Sequence, residues 1–107
     1  MTILGDLVRD IRSKNAGPFW LTIDIFCHDR LNYDHVKSML DLIQIADHLG
    51  CHVGTIQRFD LDDLHVIKLS LPRPAIQGTR LDRDMHGASF AFLLSELPLK
   101  NMDDSKS

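Results

Sequence analysis

The sequence predicts a small two-layer α+β domain: a mostly antiparallel sheet of three or four strands with two helices packed on one face. Three observations carry that expectation. Phe19 to Phe26 alternates apolar and mixed side chains with the period of a strand. Two more alternating runs, Val53 to Phe59 and Leu64 to Leu71, flank the acidic stretch Asp60-Leu61-Asp62-Asp63 in the manner of a β-hairpin. Between these regions, Asn32 to Leu49 is a long amphipathic stretch of helical period that stops at Gly50.

The elements follow in order. Ile3, Leu4, Leu7, Val8 and Ile11 recur at the spacing of one buried helical face, which predicts a helix over Thr2 to Lys14. Asn15, Gly17 and Pro18 supply its stop. In the strand from Phe19 to Phe26, Phe19, Leu21, Ile23 and Ile25 form a wholly apolar face that should meet the core. Trp20, Thr22, Asp24 and Phe26 form the other face, where Asp24 needs solvent or a partner because burying an unpaired carboxylate is costly. Asn32 reads as the N-cap of the long helix, with Tyr33, Val36, Met39, Leu40, Ile43 and Ala46 as its buried stripe. A right-handed crossover through that helix would allow one parallel strand pair. Pro72-Arg73-Pro74 ends the second hairpin strand by removing two amide donors. Ala75 to Gly87 is a long charged loop, of the kind that is functional or disordered. In Ala88 to Leu94 the alternation of Phe90, Phe92 and Leu94 favours a short strand. The whole is one domain over residues 1–100, with a flexible polar tail over 101–107.

Composition narrows the function classes. With 107 residues, 44 % apolar and 25 % charged, the chain is long enough to bury one core. The formal net charge is −3, and no run of Lys or Arg exceeds two residues, which excludes the footprint of a nucleic-acid binder. No apolar run is long enough for a membrane span, and the first residues lack the basic and apolar regions of a secretory signal. A cytoplasmic location and two reduced, buried thiols, Cys27 and Cys51, are therefore expected.

Three stretches carry candidate chemistry. At the first turn, Lys14 brings a positive charge beside the amides of Asn15 to Gly17, a corner suited to a carboxylate or phosphate, although the end of a helix disfavours anions. Arg73 is held between two prolines, which preorganises a guanidinium for a planar anion. Asp84 and His86, two residues apart, pair a carboxylate with an imidazole for proton transfer. Each also has a plain structural reading, as a helix stop, a strand terminator and a solvated loop. No metal-ligand spacing, no nucleophile motif and no phosphate-cradling glycine motif is present, so no cofactor is implied and the catalytic set is incomplete.

Ile11-Arg12-Ser13-Lys14-Asn15-Ala16-Gly17-Pro18-Phe19, followed by Leu21-Thr22-Ile23-Asp24-Ile25, resembles the opening signature of a small family of unknown function. That family is found beside, or fused to the C-terminus of, large proteins of the acyclic terpene utilisation A type. Tyr33, Val36-Lys37, Leu71-Pro72-Arg73-Pro74, Gly78, Asp84-Met85-His86-Gly87-Ala88 and Leu93-Leu94 continue the match over residues 4 to 98. Two positions depart from its pattern: Ser89 stands where glutamine is expected, and His86 where an aromatic hydroxyl is commoner. The resemblance implies a context of organic-acid or acyl-CoA metabolism and a larger protein partner.

Together these readings give one expected site: Lys14, Asn15 and Arg73 bind an anion, and Asp84 and His86 are the catalytic candidates. The leading expectation is a small subunit of a heteromeric metabolic enzyme. The alternatives are a stand-alone module that binds an anionic metabolite, and a small independent enzyme working through Asp84 and His86.

Overall fold

The computed structural model describes residues 2–72 and 87–99. The chain opens with a two-residue strand, β1 (Thr2–Ile3), and a single helical turn, α1 (Leu4–Leu7). The predicted helix over Thr2 to Lys14 goes no further. Val8 is already extended, and Asp10–Asn15 is a strand, β2. Leu4 and Val8 are buried as the stripe predicted, but the stripe is served by one turn and a bend. Ser13 and Asn15 are weak helix formers, and a helix this short is marginal alone. As a strand, the segment instead pairs antiparallel with all of Leu21 to Phe26.

Strand β3 (Trp20–Phe26) follows after a tight turn in which Ala16 N donates to the Trp20 carbonyl at 2.8 Å and Gly17 takes φ 86°. The Asn-Gly-Pro stop therefore closes a β-hairpin rather than a helix. The apolar face of β3 behaves as read: Leu21, Ile23 and Ile25 are fully buried, whereas Phe19, before the strand, is exposed.

The long helix is two helices, α2 (Arg30–Met39) and α3 (Leu42–Leu49). The break has two causes. Arg58 donates to the carbonyls of Lys37 at 2.8 Å and Leu40 at 3.3 Å, satisfying the last turn of α2. Asp41 then caps α3 by accepting from Ile43 N at 2.9 Å. The N-cap of α2 is Asp29, not Asn32; its carboxylate accepts from Asn32 N at 2.8 Å. Gly50 ends α3 in the left-handed region, φ 78°, as its sequence position predicted.

A 3-10 turn (Val53–Thr55) leads into β4 (Gln57–Leu61), so this strand starts later than its alternation suggested. A second 3-10 turn (Asp62–Leu64) and His65, at φ 55°, join it to β5 (Val66–Pro72). The predicted hairpin is present. The sheet order is β2-β3-β5-β4 with every pair antiparallel, so no parallel pair forms among the described residues. Gly87–Ser95 is a helix, α4, where a strand was expected. Phe90, Ala91 and Leu94 are buried while Phe92 is 68 % exposed, which is a helical stripe continued by Leu97. A last short strand, β6 (Pro98–Leu99), pairs with β1.

One core joins these parts. Leu21, Ile23 and Ile25 of β3 and Ile67, Leu69 and Leu71 of β5 meet Tyr33 and Val36 of α2, Ile45 and Leu49 of α3, and Phe90 and Leu94 of α4. The fold is thus the expected α+β type, with α2, α3 and α4 on one face of the main sheet. Among the described residues the other sheet face adds no side chain to this cluster, although Val66 is buried there. Cys27 and Cys51 are both free thiols, the first buried and the second half-buried.

Candidate functional site

Strand register decides which side chains share the face away from the helices. Position 23 faces the core, so positions 22 and 24 face outward, and the pairing carries that parity across the sheet. One row runs Arg12, Asp24, Lys68, Phe59; the next runs Lys14, Thr22, Ser70, Gln57. Asp10, Phe26, Val66 and Leu61 flank the first row, and Trp20 pairs with Pro72 beyond the second. The strands place three cations and two carboxylates on this face, one positive charge in excess, in a chain whose formal net charge is −3.

The middle of the face is electrostatically unfinished. Asp24 lies in register between Arg12 and Lys68, yet its Oδ1 is sequestered from solvent with no hydrogen-bond partner among the described residues. Arg12 turns its Nε to Asp10 instead, at 2.9 Å. The hydroxyl of Thr22, two residues away, is likewise buried and has no partner among the described residues. An unmet buried polar atom costs on the order of 1–3 kcal/mol, so a donor arriving here from a ligand or partner has something to recover. Trp20 and Phe59 are 42 % and 46 % exposed, and both belong to this face.

Of the residues expected to form a site, Lys14 is on this open face and exposed. Asn15 follows it at the end of β2, also exposed, with the opposite parity. The helix dipole that counted against an anion at Lys14 does not exist, because the residue is in a strand. Arg73, Asp84 and His86 lie outside the described residues. Of that set the structure thus describes Lys14 and Asn15, neighbours in β2 on opposite faces of the strand, and most of the charged loop and the tail over 101–107 also fall outside.

A second polar cluster was not anticipated. Tyr33, fully buried on α2, donates its hydroxyl to Asp62 at 2.5 Å, and Lys37, one turn on, approaches the same carboxylate at 3.5 Å and the Tyr33 ring at 4.9 Å. The His65 ring lies 5.9 Å from that of Tyr33. Burial, and then the bond to Asp62, push the phenol well above its ordinary range; the same bond, and then the charge of Lys37, hold Asp62 below its own. A phenol held protonated is a strut between α2 and the β4–β5 turn rather than a base. The signal for it was the Tyr33–Lys37 spacing on one helix face beside an acidic turn, but no local pattern says which acid the tyrosine meets. The other helix polar groups are also ties: His48 Nε2 donates to the Leu93 carbonyl at 2.7 Å, and Gln44 Nε2 to that of Pro98 at 2.6 Å.

Neither thiol is set up as a nucleophile. Burial pushes Cys27 up to about 11, and it raises Cys51 as well. Among the described residues, no group of three or more His, Cys, Asp or Glu side chains is placed to hold a metal ion, and no helix is long and apolar enough to cross a membrane.

Fold and face together define a small two-layer α+β domain with helices on one side of its main sheet and a cation-bearing face on the other. The chain belongs to the family described as a domain of unknown function (DUF4387), whose model matches residues 4–98. No curated protein and no solved structure matches it.

Proposed function

We propose that the chain is the small subunit or accessory domain of a heteromeric metabolic enzyme acting on an organic acid or acyl-CoA-type substrate. The larger partner in this reading is a protein of the acyclic terpene utilisation A type. The observation that carries the reading is the open sheet face: a cationic excess, two buried polar atoms without partners among the described residues, and exposed Trp20 and Phe59 at its margins. Exposed aromatics beside polar groups suit a protein interface, and the cations suit an acidic substrate at its edge. Lys14 and Arg73 are the proposed anion ligands in this scheme, Asn15 supports them, and Asp84 with His86 would serve any proton transfer.

Co-expression with the candidate large protein tests the reading. A stable complex with activity that neither chain has alone is expected. The Lys14→Ala, Arg73→Ala double variant should lose that activity while its far-ultraviolet circular dichroism and melting stay those of the parent. A fully active double variant, or no complex, refutes it. The cation excess also favours a stand-alone module for an anionic metabolite, and ligand-dependent thermal stabilisation of the chain alone would select that alternative.

A further inference from the structure

Two neighbouring cavities at the start of β2 share walls made by Arg9 and Asp10. The first, about 360 Å³, is lined among the described residues by Arg9, Asp10, Arg12 and Phe26. The second, about 310 Å³, continues to Val8, Ile11, Ala91 and Phe92, and so runs between the edge strand and α4. One end is cationic and aromatic; the other mixes the apolar Val8, Ile11, Ala91 and Phe92 with Gly5 and the Ser95 hydroxyl. From this juxtaposition we propose that the groove binds a monocarboxylic acid with an aliphatic body, its carboxylate at Arg9 and Arg12 and its chain along Ile11, Ala91 and Phe92.

Charge selects the class of anion. The guanidinium carbons of Arg9 and Arg12 lie 5.7 Å and 5.9 Å from the centroid of the Phe26 ring, which holds two like charges around one aromatic. Asp10 is the one carboxylate among the described residues of the cavity wall; the bond to Arg12 holds it below its ordinary range, so it stays ionised at neutral pH. Two guanidinium charges against one carboxylate leave one positive charge, which matches a monoanion better than a phosphate dianion. The geometry agrees. Arg12 has committed its Nε to Asp10, while Arg9 has no ion pair among the described residues and keeps its planar fork for a carboxylate. Phe92 is 68 % exposed on α4, an apolar surface that an aliphatic chain would cover.

The inference places an organic acid in a second site, apart from Lys14 and Arg73, and rests on the proposed function for its biological meaning. Its test does not need the partner. The full chain is titrated with octanoate and followed by proton–nitrogen NMR that includes the arginine side chains, with acetate, 1-octanol and inorganic phosphate as the other probes. Octanoate is expected to bind more tightly than any of the three and to shift the Arg9, Arg12 and Ala91 signals. Arg9→Gln should weaken octanoate on the order of tenfold, the loss of one charge-assisted pair. Phe92→Ser should weaken octanoate and leave acetate unchanged. The proposal is overturned if phosphate binds as tightly as octanoate, if 1-octanol does, if Arg9→Gln leaves the affinity intact in a folded protein, or if the shifts map to Lys14 instead. Failure of octanoate binding with an active complex condemns this groove alone; absence of any complex condemns the heteromer reading alone.

Discussion

Asn32 offers the sharpest test of how the helical layer is tied to the sheet. Its side chain makes two bonds at once: Oδ1 accepts from His28 N at 2.9 Å, and Nδ2 donates to the Leu7 carbonyl at 2.8 Å. The first closes the turn ahead of α2, and the second fastens α1 to α2 across 25 residues of sequence. Asn32→Ala removes both. At about 0.5–1.5 kcal/mol for each bond, the loss is roughly 1–3 kcal/mol. Alanine returns up to about 0.7 kcal/mol as the better helix former. The expected net destabilisation is thus about 0.3–3 kcal/mol, centred near 1.5. For a domain of this size each kcal/mol lowers the melting temperature by roughly 4–8 °C. Urea denaturation at pH 7 measures it directly. Asn32→Asp is the control: it keeps the acceptor for His28 N and gains from a negative charge in the first helical turn, but it loses the donor to Leu7 and sets a carboxylate oxygen against that carbonyl. It should be less stable than the parent at neutral pH, and the gap should narrow in acid, where the protonated carboxyl regains a donor for Leu7. An alanine variant as stable as the parent would refute the reasoning.

Three further outcomes follow from the same geometry. Tyr33→Phe should destabilise most at neutral pH: Asp62, held low in the fold, contributes stability above its unfolded value that is lost as pH falls through its folded one, so the gap between variant and parent should narrow in acid. It should narrow again above about pH 10, where the unfolded phenol ionises and only the parent, whose buried phenol is held protonated, loses stability; denaturation across pH reads both limbs. Gly50→Ala, forced to φ 78°, should cost about 1–2 kcal/mol by thermal melting, and an unchanged melting temperature would contradict the left-handed cap. Cys27, buried and raised to about 11, should react with a disulfide reagent at pH 8 far more slowly than in urea-unfolded chain, and fast modification in the native state would contradict its burial.

What the sequence disclosed, and where it misled, follows from how strongly each segment is constrained by its own pattern. β3 and β5 were legible because they are central and buried on one face, so Leu21, Ile23, Ile25, Ile67, Leu69 and Leu71 had to alternate. β2 was not, because it is an edge strand: Arg12 and Lys14 face outward, Ser13 lies under α4 and accepts from Ala91 N at 2.9 Å, and little apolar alternation remains. Its upstream stripe fits one helical turn followed by a bend as well as it fits a long helix. The break between α2 and α3 depends on Arg58, a residue distant in sequence, and Asp41 was its only local sign. α4 was misread because Phe90, Phe92 and Leu94 alternate, whereas adding Ala91 and Leu97 restores the helical period. The site divides in the same way. Asp24 stood out as a carboxylate lacking a partner on a mixed strand face, and it is the centre of the open face. Arg9, Arg12 and Phe26 gave no local signal, since only strand pairing brings them together.

Trp20 is the single tryptophan of the chain and stands on the open face, which makes its emission a direct report on that surface. The chain should be titrated with the candidate large subunit, using a variant of that subunit free of tryptophan or a chain labelled with 5-fluorotryptophan. If the open face docks the partner, the Trp20 signal moves to that of a buried indole and becomes protected from acrylamide as the complex forms. A complex that forms with Trp20 as exposed as before would contradict the account.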